Sequence, residues 1–394
     1  MNSRQRVLTT LRHQQADRVP IAEMWIDPQV VRAIVPEARD SNDLVEYLGL
    51  DMVTVPTMIY EADEVDWVDQ AEGIFRDRWG ALQHLTHEAI PVPMLPARIE
   101  SEDDLARYAP PDPAQSPIIP KVRRLRARFP DKAVAVVGES GWAPAVYLRG
   151  GIENLFLDLA TRPQFAKDLM GIGAAYYAEL FPLAIAAGAD VVFLGDDYSD
   201  NRGPMMSPQM FEELILPHDA AVVAAIKQAG AYCIKHTDGD IRKIMDQLVG
   251  IGVDALGPLQ DVPGMELDKI LDRYPGRIAV MGNLSVDLLG RGTVEEVAAA
   301  TERLLGEVSA KGPHIMSSGN TIASCVQPEN FLALVRTTQA FGQYLYERSS
   351  PAVGFFIYQS GCAARDQHVE PIDLFREGTG GEGSLQGSNH CRRG

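Results

Sequence analysis

The sequence predicts an α/β chain folded as a (β/α)8 TIM barrel with an inserted hairpin or lid segment. Three observations predict it. Short β-branched runs alternate with helical stretches from about residue 131 onward, two earlier runs bring the strand count to eight, and most runs end in a polar residue. In a parallel barrel every strand opens its C-terminal end onto the same face, so such residues converge there. A doubly wound open sheet is the rival architecture, but no GxGxxG follows an early strand.

The first two strands are read in RVPIAEMW at 18–25 and DMVTVP at 51–56. Residues 60–130 then break the alternation. WVDQAEGIFRDRWGALQHL reads as a hairpin and APPDPAQSPIIP as a Pro-rich connection, so this stretch is expected to be an insertion between the second and third strands, lying over one end of the barrel as a lid. Strands resume at 133–138, 190–195, 231–236, 253–257, 277–282 and 313–318. Thr161 as cap and Pro163 in the first turn open a helix over 161–187, and Ser207-Pro208 opens another. Thr293 followed by Glu295 and Glu296 opens the helix 293–310, where acids suit the positive end of the dipole. An amphipathic stretch at 327–347 ends the repeat. From residue 349 the chain turns Gly/Ser-rich (EGTGGEGSLQGSNHCRRG) and has little to bury. The expected organisation is one barrel domain over 1–348 and a disordered tail over 349–394.

At 394 residues, with 46% hydrophobic and 23% charged residues, the composition is that of a soluble globular protein. A formal net charge of -18 repels a phosphate backbone and an anionic membrane surface, which argues against nucleic-acid and membrane partners. No apolar run reaches the ~20 residues that span a bilayer. The opening MNSRQRVLTTLRHQQ has no apolar signal region, so a cytoplasmic location is expected. The four cysteines, Cys233, Cys325, Cys362 and Cys391, show no CxxC spacing and fit thiols in a reducing compartment.

The residues at the strand ends carry the chemistry. His236 and Asp238 stand at i and i+2 after AYCIK and can share one ligand; the plain alternative is a core histidine beside a helix-capping Asp238. Cys325 precedes the helix at 327, whose N-terminus favours thiolate. Thiolate, imidazole and carboxylate are all zinc ligands, and three of them leave a position open for substrate. Glu139 in GESGW is an alternate ligand or a general acid. Asp196 and Asp197 are adjacent acids whose pKa values rise together unless a cation or donor relieves them. Gln260, Asn283 and Ser318 offer hydrogen bonds to a substrate.

Several stretches resemble the uroporphyrinogen decarboxylase superfamily, in particular its corrinoid-dependent methyltransferase branch. They are RQRVLTTLRHQQADRVPI, DDYSDNRGPMMSPQMFEELILPH, KHTDGDIRKIMDQLVGIGVDALGPLQ, GNLSVDLLGRGTVEEV and SSGNTIASCVQPENFLALV, which together span most of residues 4–345. The resemblance implies a (β/α)8 barrel and a possible homodimer. The decarboxylase clamps its substrate's carboxylates with arginines after the first strand, where this chain reads IDPQVV. The methyltransferase branch uses zinc held by a His-x-Cys-Gly motif and a later cysteine. Carried over, His236 and Cys325 match, while Asp238 replaces the first cysteine and leaves the third ligand open between Asp238 and Glu139. An oxygen ligand makes the site harder and favours a methyl ether over a soft thiol as substrate.

The resemblance therefore implies methyl transfer from a small methylated compound to a corrinoid. The corrinoid would come on a partner protein, since the chain shows no DxHxxG motif. Asp196, Asp197 and Gln260 would orient the substrate. The alternatives are cofactor-free decarboxylation of a porphyrinogen, with Asp196 or Asp197 stabilising a protonated pyrrole, and a non-catalytic barrel that binds a small molecule.

Overall fold

Seven parallel strands follow one another around a curled sheet, each bonded to the next: β1 (Met52–Pro56), β2 (Ala133–Gly138), β3 (Val191–Leu194), β4 (Tyr232–Lys235), β5 (Ala255–Leu259), β6 (Ala279–Leu284) and β7 (His314–Ser318). They are seen in a computed structural model that describes residues 1–61, 64–85 and 90–348. The expected tail over 349–394 lies outside the described residues. Strand residues are buried almost throughout, as befits a parallel sheet covered on both faces. The period of two sorts them. Ala133, Ala135, Val137, Phe193, Ile234, Met281 and Ile315 share an inner apolar cluster, while Val134, Val136, Val192, Leu194, Cys233 and Val280 pack outward with the helices. The helix Ser3–Leu11 adds Val7 and Leu11 to the inner cluster, and Arg4 N–H donates to Asp131 O at 2.7 Å, so this helix stoppers the end where the strands begin.

The first expected strand is not a regular one. Residues 20–26 touch β7 and the loop after it through isolated bridges, Ile21 with Met316 and Ile26 with Ile322. Asp51 N–H, just before β1, donates to Ile21 O at 2.8 Å, so the segment bonds to both edge strands. Two features keep it from forming a ladder. Pro20 has no N–H, and the Ile21 N–H goes to the Asp51 carboxylate at 2.9 Å rather than to a strand. Beyond residue 51 the edge of β1 is closed by a side chain. Asn42 accepts from Thr54 N at 2.9 Å and donates to Thr54 O at 3.1 Å.

The stretch between β1 and β2 breaks the alternation, as expected, and holds more than a hairpin. Short strands at Asp66–Asp69, Ile74–Arg76, Leu82–His84 and Val92–Pro93 form a four-stranded antiparallel sheet. Trp79 docks it on the helix Pro163–Ala186, with ring centroids 4.8 Å from Tyr176 and 6.2 Å from Tyr177. The end of the expected insertion, Ile118–Arg128, is a helix packed on β1 and β2 and belongs to the layer covering the parallel sheet.

Helix starts follow the capping chemistry at Ser207 and in the Thr293–Glu296 capping box. Thr161 does not cap. It closes the preceding helix Ile152–Thr161 and donates to Leu157 O at 2.7 Å, because the chain before it is already helical. Pro163–Ala186 is long and apolar enough to cross a membrane by composition alone, but Phe165, Leu169, Met170, Tyr177, Leu180 and Phe181 bury its apolar face in the core.

Candidate functional site

β4 ends at Lys235, and His236 continues its register by donating N–H to Leu194 O at 2.9 Å. The His236 ring is buried, and its Nδ1 lies 2.8 Å from Pro258 O. A carbonyl only accepts, so Nδ1 carries a proton and Nε2 is the ring nitrogen left to meet a ligand. Nε2 faces two carboxylates, Asp238 Oδ1 at 3.5 Å and Asp197 Oδ1 at 3.7 Å. One donor atom from each of Asp197, His236 and Asp238 lies within 4.8 Å of the others, the arrangement a single cation needs.

Side chains and backbone around the cluster hold it in place. Asp238 N–H donates to Asp197 Oδ1 at 3.0 Å, and Asn320 Nδ2 donates to Asp238 Oδ1 at 2.8 Å. Gln260 Oε1 accepts from Gly239 N at 2.7 Å, so this expected substrate ligand also braces the loop after β4. Gly239 sits at φ +75°, where a Cβ would fall 2.3 Å from Asp200 O. Burial, with the Asp197 charge second, pushes the Asp238 carboxyl up to about 6, against the pull of His236 and Asn320.

Cys325 is not part of this cluster. The loop after β7 is pinned at Ile322, which bonds to Trp25 and Asp27, and again at Gln327, whose N–H donates to Leu289 O at 3.1 Å. Between these anchors the exposed Cys325 lies against Gly290 of the helix Val286–Arg291. Among the described residues the cluster takes its third donor atom from Asp197 and not from the expected thiolate.

The adjacent acids diverge. Asp196, at φ +82°, turns inward and accepts from Ser140 N at 2.8 Å and Ala143 N at 3.0 Å. Ser140 Oγ lies between Asp196 and the fully buried Asp219, which also accepts from Tyr198 OH at 2.9 Å. Burial foremost raises the Asp219 carboxyl to about 6. Lys235 is wholly buried and directs Nζ at three carbonyls: Gly195, Asp196 at 3.1 Å and His236 at 2.8 Å. All three ammonium donors are thereby used, and the ends of β3 and β4 are tied together. Asp196 is therefore a positioning group within a buried network, not a companion of Asp197.

Glu139 ends β2 inside a nest of tyrosines. Tyr147 OH donates to Oε1, and Tyr177 OH donates to Oε2 at 2.9 Å. Burial, with the Asp196 charge second, lifts this carboxyl to about 7, so near neutral pH it holds or releases a proton readily. Ser318 is occupied by Glu23: its N–H donates to Oε1 at 2.9 Å and its Oγ lies 2.7 Å from Oε2. Burial raises Glu23 to about 8, making it a neutral acid at pH 7. Asn283 is buried at the end of β6. Reasoning from sequence missed Asn320, Lys235, Tyr177, Asp219 and Glu23. A lysine ending an apolar strand run was the one local signal among them.

The sequence model for the family described as uroporphyrinogen decarboxylase (URO-D) matches residues 82–341. The chain is 23% identical over 350 residues to "Uroporphyrinogen decarboxylase" of Chloroherpeton thalassium, covering 83% of this chain and 94% of that one. It is 26% identical over 225 residues to the protein of the same name from Thioalkalivibrio sulfidiphilus, covering 54% and 61%. Among solved structures, a methyltransferase from Methanosarcina mazei shares the fold with a TM-score of 0.68 at 18% identity, covering 86% of this chain and 99% of that one.

Proposed function

The chain belongs to the uroporphyrinogen decarboxylase family, and from that premise we propose that it is a metal-dependent methyltransferase, taking a methyl group from a small oxygen-bearing compound such as a methyl ether and passing it to a corrinoid carried on a partner protein. The observation that carries this reading is His236 Nε2 facing Asp197 and Asp238. The donor set fits a divalent ion. It offers one imidazole nitrogen with its tautomer fixed and two carboxylates, all types that zinc accepts. Zinc held by Asp197, His236 and Asp238 would supply Lewis acidity to the heteroatom that releases the methyl group. With Cys325 outside the cluster the set is wholly nitrogen and oxygen, which favours a hard, oxygen-bearing donor.

The protein's own residues do the rest. Pro258 O orients the imidazole, Asn320 and Gln260 fix the loop that carries Asp238, and Lys235 holds the β3 and β4 ends in register. Glu139, with its raised pKa, can hand a proton to a leaving alkoxide and is assigned as the general acid. The relation in fold to a methyltransferase supports this reading. The second reading, cofactor-free decarboxylation of a porphyrinogen, is favoured by the name of the relative matched over 94% of its length. Against it stands Asp196, whose carboxylate is committed to Ser140 and Ala143 inside the network, which leaves Asp197 as the one acid of the pair for that role.

One experiment separates the two. Zinc-loaded protein is mixed with cob(I)alamin and an aromatic methyl ether, and methylcobalamin is followed by its absorbance. The expected result is zinc-dependent methylcobalamin formation, reduced at least ~100-fold in His236→Ala. Turnover of uroporphyrinogen by metal-free protein would replace this reading with the second.

A further inference from the structure

The buried network behind β3 needs one hydrogen more than its hydroxyl groups supply. Ser140 Oγ contacts Asp196 Oδ2 and Asp219 Oδ1, and Tyr198 OH lies 2.9 Å from both oxygens of Asp219. These contacts make three links between hydroxyl and carboxyl groups, and the two hydroxyls bring two hydrogens. The third link closes only if a carboxyl group donates. Asp196 accepts N–H from Ser140 and Ala143, which marks it as the acceptor. Among the described residues Asp219 meets hydroxyl groups alone, so the extra hydrogen falls to Asp219.

The charge count agrees. Ser140, Tyr198, Asp219 and Lys235 are wholly buried. With Asp219 neutral, the Lys235 ammonium stands against the Asp196 carboxylate. An ionised Asp219 would add a second buried anion beside Asp196 and would draw the Ser140 hydrogen away from it. Charges on the neighbouring elements act elsewhere. Glu139 and Asp196 act on each other, while Lys167 and Asp168, on the helix packed against that of Asp219, act on His218. What the network holds is a turn. Asp196 sits at φ +82°, a conformation that a residue with a side chain keeps only when its surroundings fix it. With Asp196 turned inward, the next residue, Asp197, faces His236 Nε2 at 3.7 Å.

We propose that Asp219 is a positioning residue for this turn: as a neutral acid it donates to Ser140 Oγ, the Ser140 hydrogen stays on Asp196, and Asp197 stays directed at His236. The sign of the pH dependence follows. Burial raises the folded carboxyl from 3.8 to about 6, so its contribution is complete below about 3.8 and is lost as pH rises through about 6. Above that range two buried carboxylates share one hydroxyl hydrogen, and the turn that aims Asp197 loosens. The inference deepens the proposed function and rests on its metal site for the role of Asp197. The hydrogen on Asp219 stands without the metal.

The test compares the full-length wild type with Asp219→Asn, whose amide can donate to Ser140 and accept from Tyr198 without a charge. Melting of the metal-free proteins is followed from about pH 4.5 to 8, and zinc affinity is measured near pH 8 with a competing chelator. The two proteins are expected to melt together at the acid end. Wild type is expected to fall about 2 °C or more below the variant as pH rises. Near pH 8 the variant is expected to hold zinc roughly 3- to 10-fold more tightly. A variant that melts below wild type throughout would make Asp219 an ionised acceptor and overturn the proposal. Equal melting at every pH would overturn it as well. A melting difference with unchanged zinc affinity would confine Asp219 to the fold and overturn its positioning role. Zinc bound by neither protein would sink the metal site and with it the role of Asp197, while the melting comparison alone decides the hydrogen on Asp219.

Discussion

His236 is the residue whose surroundings say most, because the 2.8 Å contact with Pro258 O decides which ring nitrogen is available. Asp238 adds a pH dependence. Its folded pKa is raised to about 6, and a metal ligand must be deprotonated. Zinc affinity is therefore expected to fall as pH drops from 7 to 5, measured with a competing chelator, and Asp238→Asn is expected to lower the affinity at least ~10-fold. Glu23 gives a second dependence of opposite origin. Its pKa is raised from 4.5 to about 8, so the folded state holds a proton that the unfolded chain releases first. Stability from this group is complete below about pH 4.5 and is lost as pH rises toward 8, by at most roughly 4–5 kcal/mol. Glu23→Gln should flatten that slope in chemical denaturation followed across pH. His236 and Asp238 were legible in sequence because they stand two apart at one strand end. Asn320 was not, because its partner Asp238 is 82 residues away and only the barrel joins them.

At the scale of elements, the loop after β4 is the tightest part of the site. Gly239 combines a positive φ with backbone contact to Asp200, so an added methyl strains the turn and displaces its neighbour Asp238. Gly239→Ala is expected to destabilise by about 2 kcal/mol or more and to lower bound zinc, read by melting and by metal analysis. The alternation of runs made the parallel strands readable, and Ser207 and Thr293 marked helix starts through ordinary capping. The loop after β7 was misread for a physical reason. Its order in the chain places Cys325 near the mouth, but the bridge of Ile322 to Ile26 draws that loop toward the first segment. The insertion was recognisable as a break in the pattern, while its four-stranded pairing depended on contacts that the alternation does not encode.

For the whole molecule, the join between the first segment and β1 is electrostatic as much as it is strand pairing. Asp51 is fully buried and accepts from Arg6 at 2.6 Å, Arg18 at 3.1 Å and Ile21 N at 2.9 Å. Removing its charge leaves Arg18 without its carboxylate and Arg6 with Asp17 alone. Asp51→Asn is expected to cost about 3–5 kcal/mol in denaturant unfolding, with a proportionate loss of activity from the open side of the ring. Such a seam is invisible to periodicity, which sees the apolar run at 18–25 and expects a full strand there. Pro20 and the diversion of the Ile21 N–H decide otherwise. The net charge of -18 bears on partners rather than on this architecture.

The central claim is that Asp197, His236 and Asp238 hold a divalent cation. Elemental analysis of protein purified without chelator tests it most directly. About one equivalent of zinc is predicted in the wild type and in Cys325→Ala, with loss of that zinc in His236→Ala and Asp238→Asn. Metal-free wild type under zinc-replete conditions, or zinc that disappears with Cys325 and survives without Asp238, would contradict it.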